Sequence, residues 1–308
     1  MRFCYAHRRF TLFPQSEDSW NLSVENYTDD FLSKVKSTGF DSIEFGYEVF
    51  NKVDDKNKLK EFVKKLESHG LVVGAIRSGG SLTDAQNGPA NIKKLNQSIR
   101  YAEWTNAEIV NGALSSPPRN PGHPPGSLPG SQHGWPISQD SSKEATLWVF
   151  DKLSETFKES CDIAKDSDIN LTVEVHQNSP VDNSWSALLI HEMVDRKNFG
   201  INPDLGNIMW NYDVPEEDFD ESISKMAAIS KYWHCKNLFR IYHPENNRSV
   251  YIRTPLPDGD IDYRYAISAM ADAKYKGYMA IEGSWGGDQW YHDEKSLSYA
   301  KSIWNEFE

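Results

Sequence analysis

The chain has 308 residues, 38% of them hydrophobic and 12% aromatic, and a formal net charge of −12. That length suits a single α/β barrel with a sizeable core, and an acidic balance without any Lys/Arg block argues against nucleic acid as a partner. The opening MRFCYAHRRF lacks the apolar stretch of a secretory leader, no run approaches the ~18 apolar residues of a membrane span, and the three cysteines (Cys4, Cys161, Cys235) are odd in number and far apart, so a cytoplasmic protein with no membrane partner and no disulfide framework is expected.

Strand-like and helix-like runs alternate along the chain. Phe3–Ala6 is followed by a helical pattern over Tyr27–Thr38 that stops at Gly39; Ser42–Phe45 is followed by Asp54–His69. In that second helix Leu59, Phe62, Val63 and Leu66 recur at 3–4 spacing and Gly70 marks the stop. Strands over Leu71–Ile76, Glu108–Ala113, Leu171–His176, Phe199–Pro203, Tyr232–Cys235 and Tyr278–Glu282 complete the set. The helices after them are Asn91–Thr105, Ser142–Lys165, Ser184–Asp195, Val214–Met226, Asp262–Lys274 and Glu294–Asn305. Strands separated by helices imply a parallel sheet, and eight such units at this length imply a closed (β/α)8 barrel, a TIM barrel, as one domain over residues 1–308. No G-x-G-x-x-G follows the first strand to support an open dinucleotide-binding sheet.

One segment breaks the rhythm. Ser115–Asp140, SSPPRNPGHPPGSLPGSQHGWPISQD, is too rich in proline and glycine for helix or strand. It follows the fourth strand, on the face where barrel active sites lie, and reads as a lid, a binding loop or a partner dock.

Four strands in the second half end in metal-ligating residue types: Glu174 in LTVEVH, Asp204 in FGINPD, His234 in SKYWHC and Glu282 in GYMAIEG. In a barrel these ends converge, so residues about 100 apart in sequence can surround one ion. Two glutamates, one aspartate and one histidine form a hard, oxygen-rich set suited to one Mn²⁺, Mg²⁺ or Co²⁺. Alternation puts His176 on the face of Glu174 and Lys236 on that of His234, with Cys235 turned outward. An imidazole titrates near neutrality, which makes His176 the preferred base, with Glu174 and Glu282 as the other candidates. His7, Arg8 and Arg9 after the first strand, Glu44 at the end of the second and Arg77 at the end of the third are candidates for binding hydroxyls or for ion pairs in the barrel floor. Trp285 and Trp290, in GSWGGDQWYH, follow the last ligand and are candidates for stacking on a bound ring.

The stretches VEVH, NPDLGN, HCKN, LPDGDIDY and GYMAIEG resemble the xylose-isomerase-like TIM barrels of the sugar phosphate isomerase/epimerase superfamily. The resemblance implies metal ligation by Glu174, Asp204, His234 and Glu282. As in the ketose epimerases, it also implies an acid/base role for the two glutamates. It places a substrate-binding arginine at Arg240, six residues after His234, and puts Asn207 where those epimerases carry a histidine. The ligand-rich stretches of the DNA-repair branch and of the two-metal isomerases are missing, so one metal is expected. CKNLFRIYHPENNRSVYIRTPLPDGDIDYRYAISAM also resembles the catalytic subunits of C-glycoside deglycosidases. That likeness implies Mn²⁺, a small β-rich second subunit, oligomerisation, and β-elimination of a 3-keto-glycoside with cleavage of a carbon–carbon bond. Isomerisation or 3-epimerisation of a free ketose is the alternative, and a metal-stabilised sugar-binding subunit without catalysis is the third reading.

Overall fold

The computed structural model describes residues 1–6, 22–115, 141–284 and 287–307. The Pro/Gly-rich insertion therefore lies outside the described residues beyond Ser115, as do His7, Arg8, Arg9 and Trp285.

Eight parallel strands run β1 (Arg2–Ala6), β2 (Ser42–Gly46), β3 (Val72–Arg77), β4 (Ile109–Ala113), β5 (Asn170–Glu174), β6 (Phe199–Asn202), β7 (Trp233–Cys235) and β10 (Tyr278–Ile281). They pair in the order β6-β5-β4-β3-β2-β1-β10-β7. The two ends meet through a parallel bridge between Ile201 and Ser230. At that seam the side chain of Asn202 substitutes for backbone, accepting from the His234 N–H at 2.7 Å. The result is the (β/α)8 barrel implied by the alternating pattern.

The helices are α1 (Asp29–Thr38), α2 (Tyr47–Asn51), α3 (Lys56–Ser68), α4 (Gly88–Thr105), α5 (Leu147–Ala164), α6 (Ser184–Val194), α7 (Leu205–Trp210), α8 (Phe219–Met226), α9 (Tyr263–Asp272) and α10 (Gln289–Trp304). Their starts are set by short polar side chains that accept otherwise orphaned N–H groups: Asp55 at α3, Asn183 at α6 and Asp262 at α9. α3 buries Leu59, Phe62, Val63 and Leu66, the four residues its periodicity marks. α5 and α8 begin about five residues later than the apolar pattern predicts. Ser142–Ala145 forms a turn, and the prolyl and acidic run after Val214 delays α8 to its cap at Asp218.

The core divides by strand alternation. Cys4, Ala6, Ala75, Ile109, Tyr232, Tyr278 and Ala280 fill the barrel interior. Phe3, Tyr5, Val173, Trp233, Cys235 and Ile281 face the helices. A polar layer sits within the barrel: Thr172 Oγ1 and Asn202 Nδ2 both donate to Asn111 Oδ1, at 2.8 and 3.2 Å. Beside Asn111, Gly112 lets two strand ends approach closely: a Cβ there would lie 1.7 Å from the Ser78 carbonyl oxygen. Backbone cannot yield as a flexible side chain does, so Gly112→Ala is expected to cost about 3 kcal/mol. A urea midpoint equal to that of the wild type would refute this.

The sequence pattern left the short helices α2 and α7 and one hairpin unassigned. β8 (Asn237–His243) and β9 (Arg248–Thr254) form an antiparallel hairpin that rises directly from the end of β7. One face carries Phe239, Ile241, Val250 and Ile252, all exposed; Leu238 and Arg253 pair across the strands and are buried.

Candidate metal centre

The mouth of the barrel gathers Glu174, Asp204, His234 and Glu282, all buried, with one ligand atom from each lying within 4.8 Å of the others. Glu174 is the last residue of β5, His234 is central in the three-residue β7, and Glu282 directly follows β10. Asp204 caps α7: its carboxylate accepts from the Asn207 N–H at 3.2 Å. The capping expected of an aspartate in N-P-D-L-G-N and its place in the ligand set thus coexist in one side chain.

His234 is held from below. Its Nε2–H donates to Glu44 Oε2 at 2.7 Å, and Tyr232 Oη donates to the same oxygen at 3.0 Å. Arg77 Nη1 donates to the other Glu44 oxygen at 3.0 Å. Such a carboxylate–histidine pair fixes the ring orientation and turns Nδ1 toward the cluster. Nδ1 is buried without a hydrogen-bond partner, 3.3 Å from both Glu174 Oε1 and Glu282 Oε1. A buried ring nitrogen facing two carboxylates is satisfied by a proton or by a metal cation, and a hard divalent ion fits this donor set.

The carboxylates are themselves restrained. Asn207 Nδ2 lies 3.0 Å from Glu174 Oε1 and 3.0 Å from Asp204 Oδ2. Lys236 Nζ bonds Asp204 Oδ2 and, at 2.9 Å, Glu282 Oε2. Arg253 Nη2 reaches the same Glu282 oxygen at 3.0 Å. Lys236 threads past Gly206, where a Cβ would come within 2.5 Å of the lysine Cγ. Burial pushes the Glu174 carboxyl up, but the charge on His234, helped by His176, outweighs it and holds the group at about 2. Burial also pushes Asp204 up, against the opposing charge of Lys236. Burial depresses His234, yet Glu44 and Glu174 together raise it to about 10.

The other candidates distribute as follows. His176 stands two residues past the end of β5 and is half-buried. Its Nδ1 lies 2.8 Å from the Gln177 carbonyl and 3.2 Å from Ser115 Oγ. A carbonyl only accepts, so Nδ1 carries the proton and Nε2 is the free base in the neutral ring. Glu44 and Arg77 form an ion pair under His234, while Asn207 lies between two of the ligands. Arg240 is engaged away from the ligands: its guanidinium donates to the Asp213 carbonyl at 2.8 Å and to Ser249 Oγ at 2.9 Å. Trp290 stacks on Tyr5 with 5.9 Å between ring centres. His7 and Trp285 are outside the described residues. Two contributors had no signal in the linear pattern: Arg253, placed by the hairpin register, and Trp210, whose Nε1–H donates to Asn207 Oδ1 at 3.1 Å.

Among the described residues no helix is long and apolar enough to cross a membrane. No curated protein matches the chain. A solved xylose isomerase-like TIM barrel protein from Mycobacterium smegmatis, in complex with magnesium, superposes with a TM-score of 0.76 at 22% identity, over 96% of this chain and 93% of that one. An L-ribulose 3-epimerase superposes at 0.71 with 18% identity, over 99% and 95% of the two chains. The 3-keto-D-glucoside 4-epimerase of E. coli does so at 0.67 with 14% identity, over 98% and 99%. At these identities the likeness is one of fold. The family model described as xylose isomerase-like TIM barrel matches residues 32–302, and the chain belongs to that family.

Proposed function

We propose that the chain is a divalent-metal-dependent enzyme that abstracts a proton beside the ketone of a keto-sugar, with Mn²⁺ as the metal and a 3-keto-glycoside as the substrate. The observation that carries this reading is the buried, unpartnered Nδ1 of His234 among three carboxylates at the mouth of the barrel. Proteins that act on sugars, a 3-keto-D-glucoside among them, occur among the chains of like fold.

A divalent ion held by Glu174, Asp204, His234 and Glu282 supplies Lewis-acid polarisation of a ketone and its neighbouring hydroxyl. The chain's own residues supply the rest. His176, with Nδ1–H committed to the Gln177 carbonyl, presents Nε2 as the base for the carbon acid. Lys236 and Arg253 bond Glu282 and fix it in place. In the elimination, the C2–H bonding pair becomes the C1–C2 double bond. The aglycone leaves C1 with its own bonding pair and is then protonated. In the alternative, free-ketose epimerisation or isomerisation, the same proton abstraction ends in reprotonation.

The proposal extends to a cytoplasmic oligomer working with a small β-rich second subunit, on the strength of the CKNLFRIYHPENN resemblance. Incubating a 3-keto C-glycoside with the protein, Mn²⁺ and such a partner is expected to release the aglycone, followed by chromatography. Failure there, with free ketoses interconverted instead, would move the assignment to the epimerase. Metal binding without turnover of either substrate class would leave a sugar-binding subunit.

A further inference from the structure

We propose that Trp210 is the positioning residue that locks the ligand set, orienting Asn207 through its indole N–H and seating Lys236 and Arg253 against its ring. This rests on the metal-site reading above. Trp210 is 4% exposed, the last residue of α7 and six past Asp204. Its neighbours Asn207, Lys236 and Arg253 restrain three of the four ligands.

The first connection is a matter of donors and acceptors. An amide side chain has one accepting end and one donating end, and either can face a given neighbour. Indole N–H only donates, so its 3.1 Å bond to Asn207 Oδ1 consigns the accepting end of the amide to Trp210. The donating end is then turned toward Glu174 Oε1, Asp204 Oδ2 and the Val175 carbonyl, each at 3.0 Å. With the amide reversed, its oxygen would face three acceptors in a buried space, at the cost of an unsatisfied group.

The second connection is through the ring. Lys236 Nζ lies 5.3 Å from the indole centre and the Arg253 guanidinium carbon 5.8 Å. These distances are within reach of the attraction between a cation and a π face. The same two cations bind Glu282 Oε2, and Lys236 also binds Asp204. One side chain therefore links the amide that holds Glu174 and Asp204 to the cations that hold Glu282. Arg253 arrives on β9, so the hairpin is joined to the ligand set at this same residue.

The test is divalent-ion affinity, read by titration calorimetry with Mn²⁺ on chelator-treated protein. Trp210→Phe keeps a ring but loses the N–H and is expected to weaken binding at least tenfold, in the range usual for partners of metal ligands. In an Asn207→Ala background the same substitution is expected to add little, because the N–H acts through that amide. Trp210→His, which retains a ring N–H, is expected to bind more tightly than the Phe variant. Equal affinity of the Phe variant and the wild type would overturn the inference while leaving the metal site intact. So would a tenfold loss that persists undiminished in the Asn207→Ala background, since that would mark a packing effect alone. If the wild type itself binds no ion, the metal-site reading fails and this inference falls with it.

Discussion

Glu174→Gln and Glu282→Gln are expected to abolish turnover alike, by about a thousandfold or more, but to differ in stability. Both remove a carboxylate from the ligand set, so both lose the ion and the chemistry. What each leaves behind is different. The charged neighbour of Glu174 is His234, and an imidazole without its carboxylate can release its proton, so no charge is stranded. The neighbours of Glu282 are Lys236 and Arg253. A guanidinium does not deprotonate in a protein, and both cations are buried, with Asp204 the ligand-set carboxylate that still neutralises charge there. Removing one partner of a buried ion pair typically costs several kcal/mol. Without added metal, Glu282→Gln is therefore expected to be about 3 kcal/mol less stable than Glu174→Gln, or roughly 5 °C in melting temperature at this chain length. Adding Arg253→Met to Glu282→Gln should recover part of that loss and none of the activity. Equal melting temperatures for the two single variants would show that Glu282 does not neutralise the buried cations in solution. For the same reason Glu174→Gln is the cleaner probe of catalysis.

The barrel was legible because its signals are local. Short β-branched runs bounded by turn residues located all eight strands to within a residue or two, and 3–4 spacing located the helices. The convergence of Glu174, Asp204, His234 and Glu282 followed from topology, since parallel strand ends meet whatever lies between them. What surrounds those residues depends on contacts that no spacing encodes. Arg240 and Arg253 both lie on the hairpin, and the resemblance names Arg240 alone, as a substrate-binding residue. The observed register pairs Arg240 with Tyr251 and Leu238 with Arg253, and it is Arg253 that reaches Glu282. Alternation puts both arginines on one face of the hairpin; Arg253, opposite Leu238 at the base, reaches the ligands, while Arg240, two residues further along β8, bonds Asp213. Glu44 was visible as a strand-end carboxylate. Its pairing with a histidine 190 residues away is a property of the closed barrel. Asn207 and Trp210 belong to a single turn of helix, but a sequence does not say which end of an amide faces a carboxylate.

Uptake of a divalent ion is expected to expel close to one proton per ion near neutral pH, because the ion and a proton compete for the Nδ1 of His234. In the metal-free protein, burial lowers the proton affinity of this imidazole, but Glu44 and Glu174 raise it to about 10, against an ordinary value of 6.5. A group raised in the folded state contributes stability that is complete below the unfolded value and is lost as pH climbs through the folded one. The metal-free protein should therefore lose this contribution between about pH 6.5 and 10. The loaded protein has no proton at Nδ1 to lose, so its stability does not fall for this reason. The gain in melting temperature on adding Mg²⁺ to chelator-treated protein should accordingly increase from pH 6.5 to 9, and apparent affinity should rise by up to about tenfold per pH unit. Comparing loaded and chelated protein at each pH cancels the titration of groups outside the site. Calorimetric titration in buffers of different ionisation enthalpy counts the proton directly. In His234→Gln both the proton release and the pH slope should disappear. A metal-induced gain that is flat across this range in the wild type would mean that His234 is already neutral without the ion, its lone pair open for a metal to occupy without displacing anything.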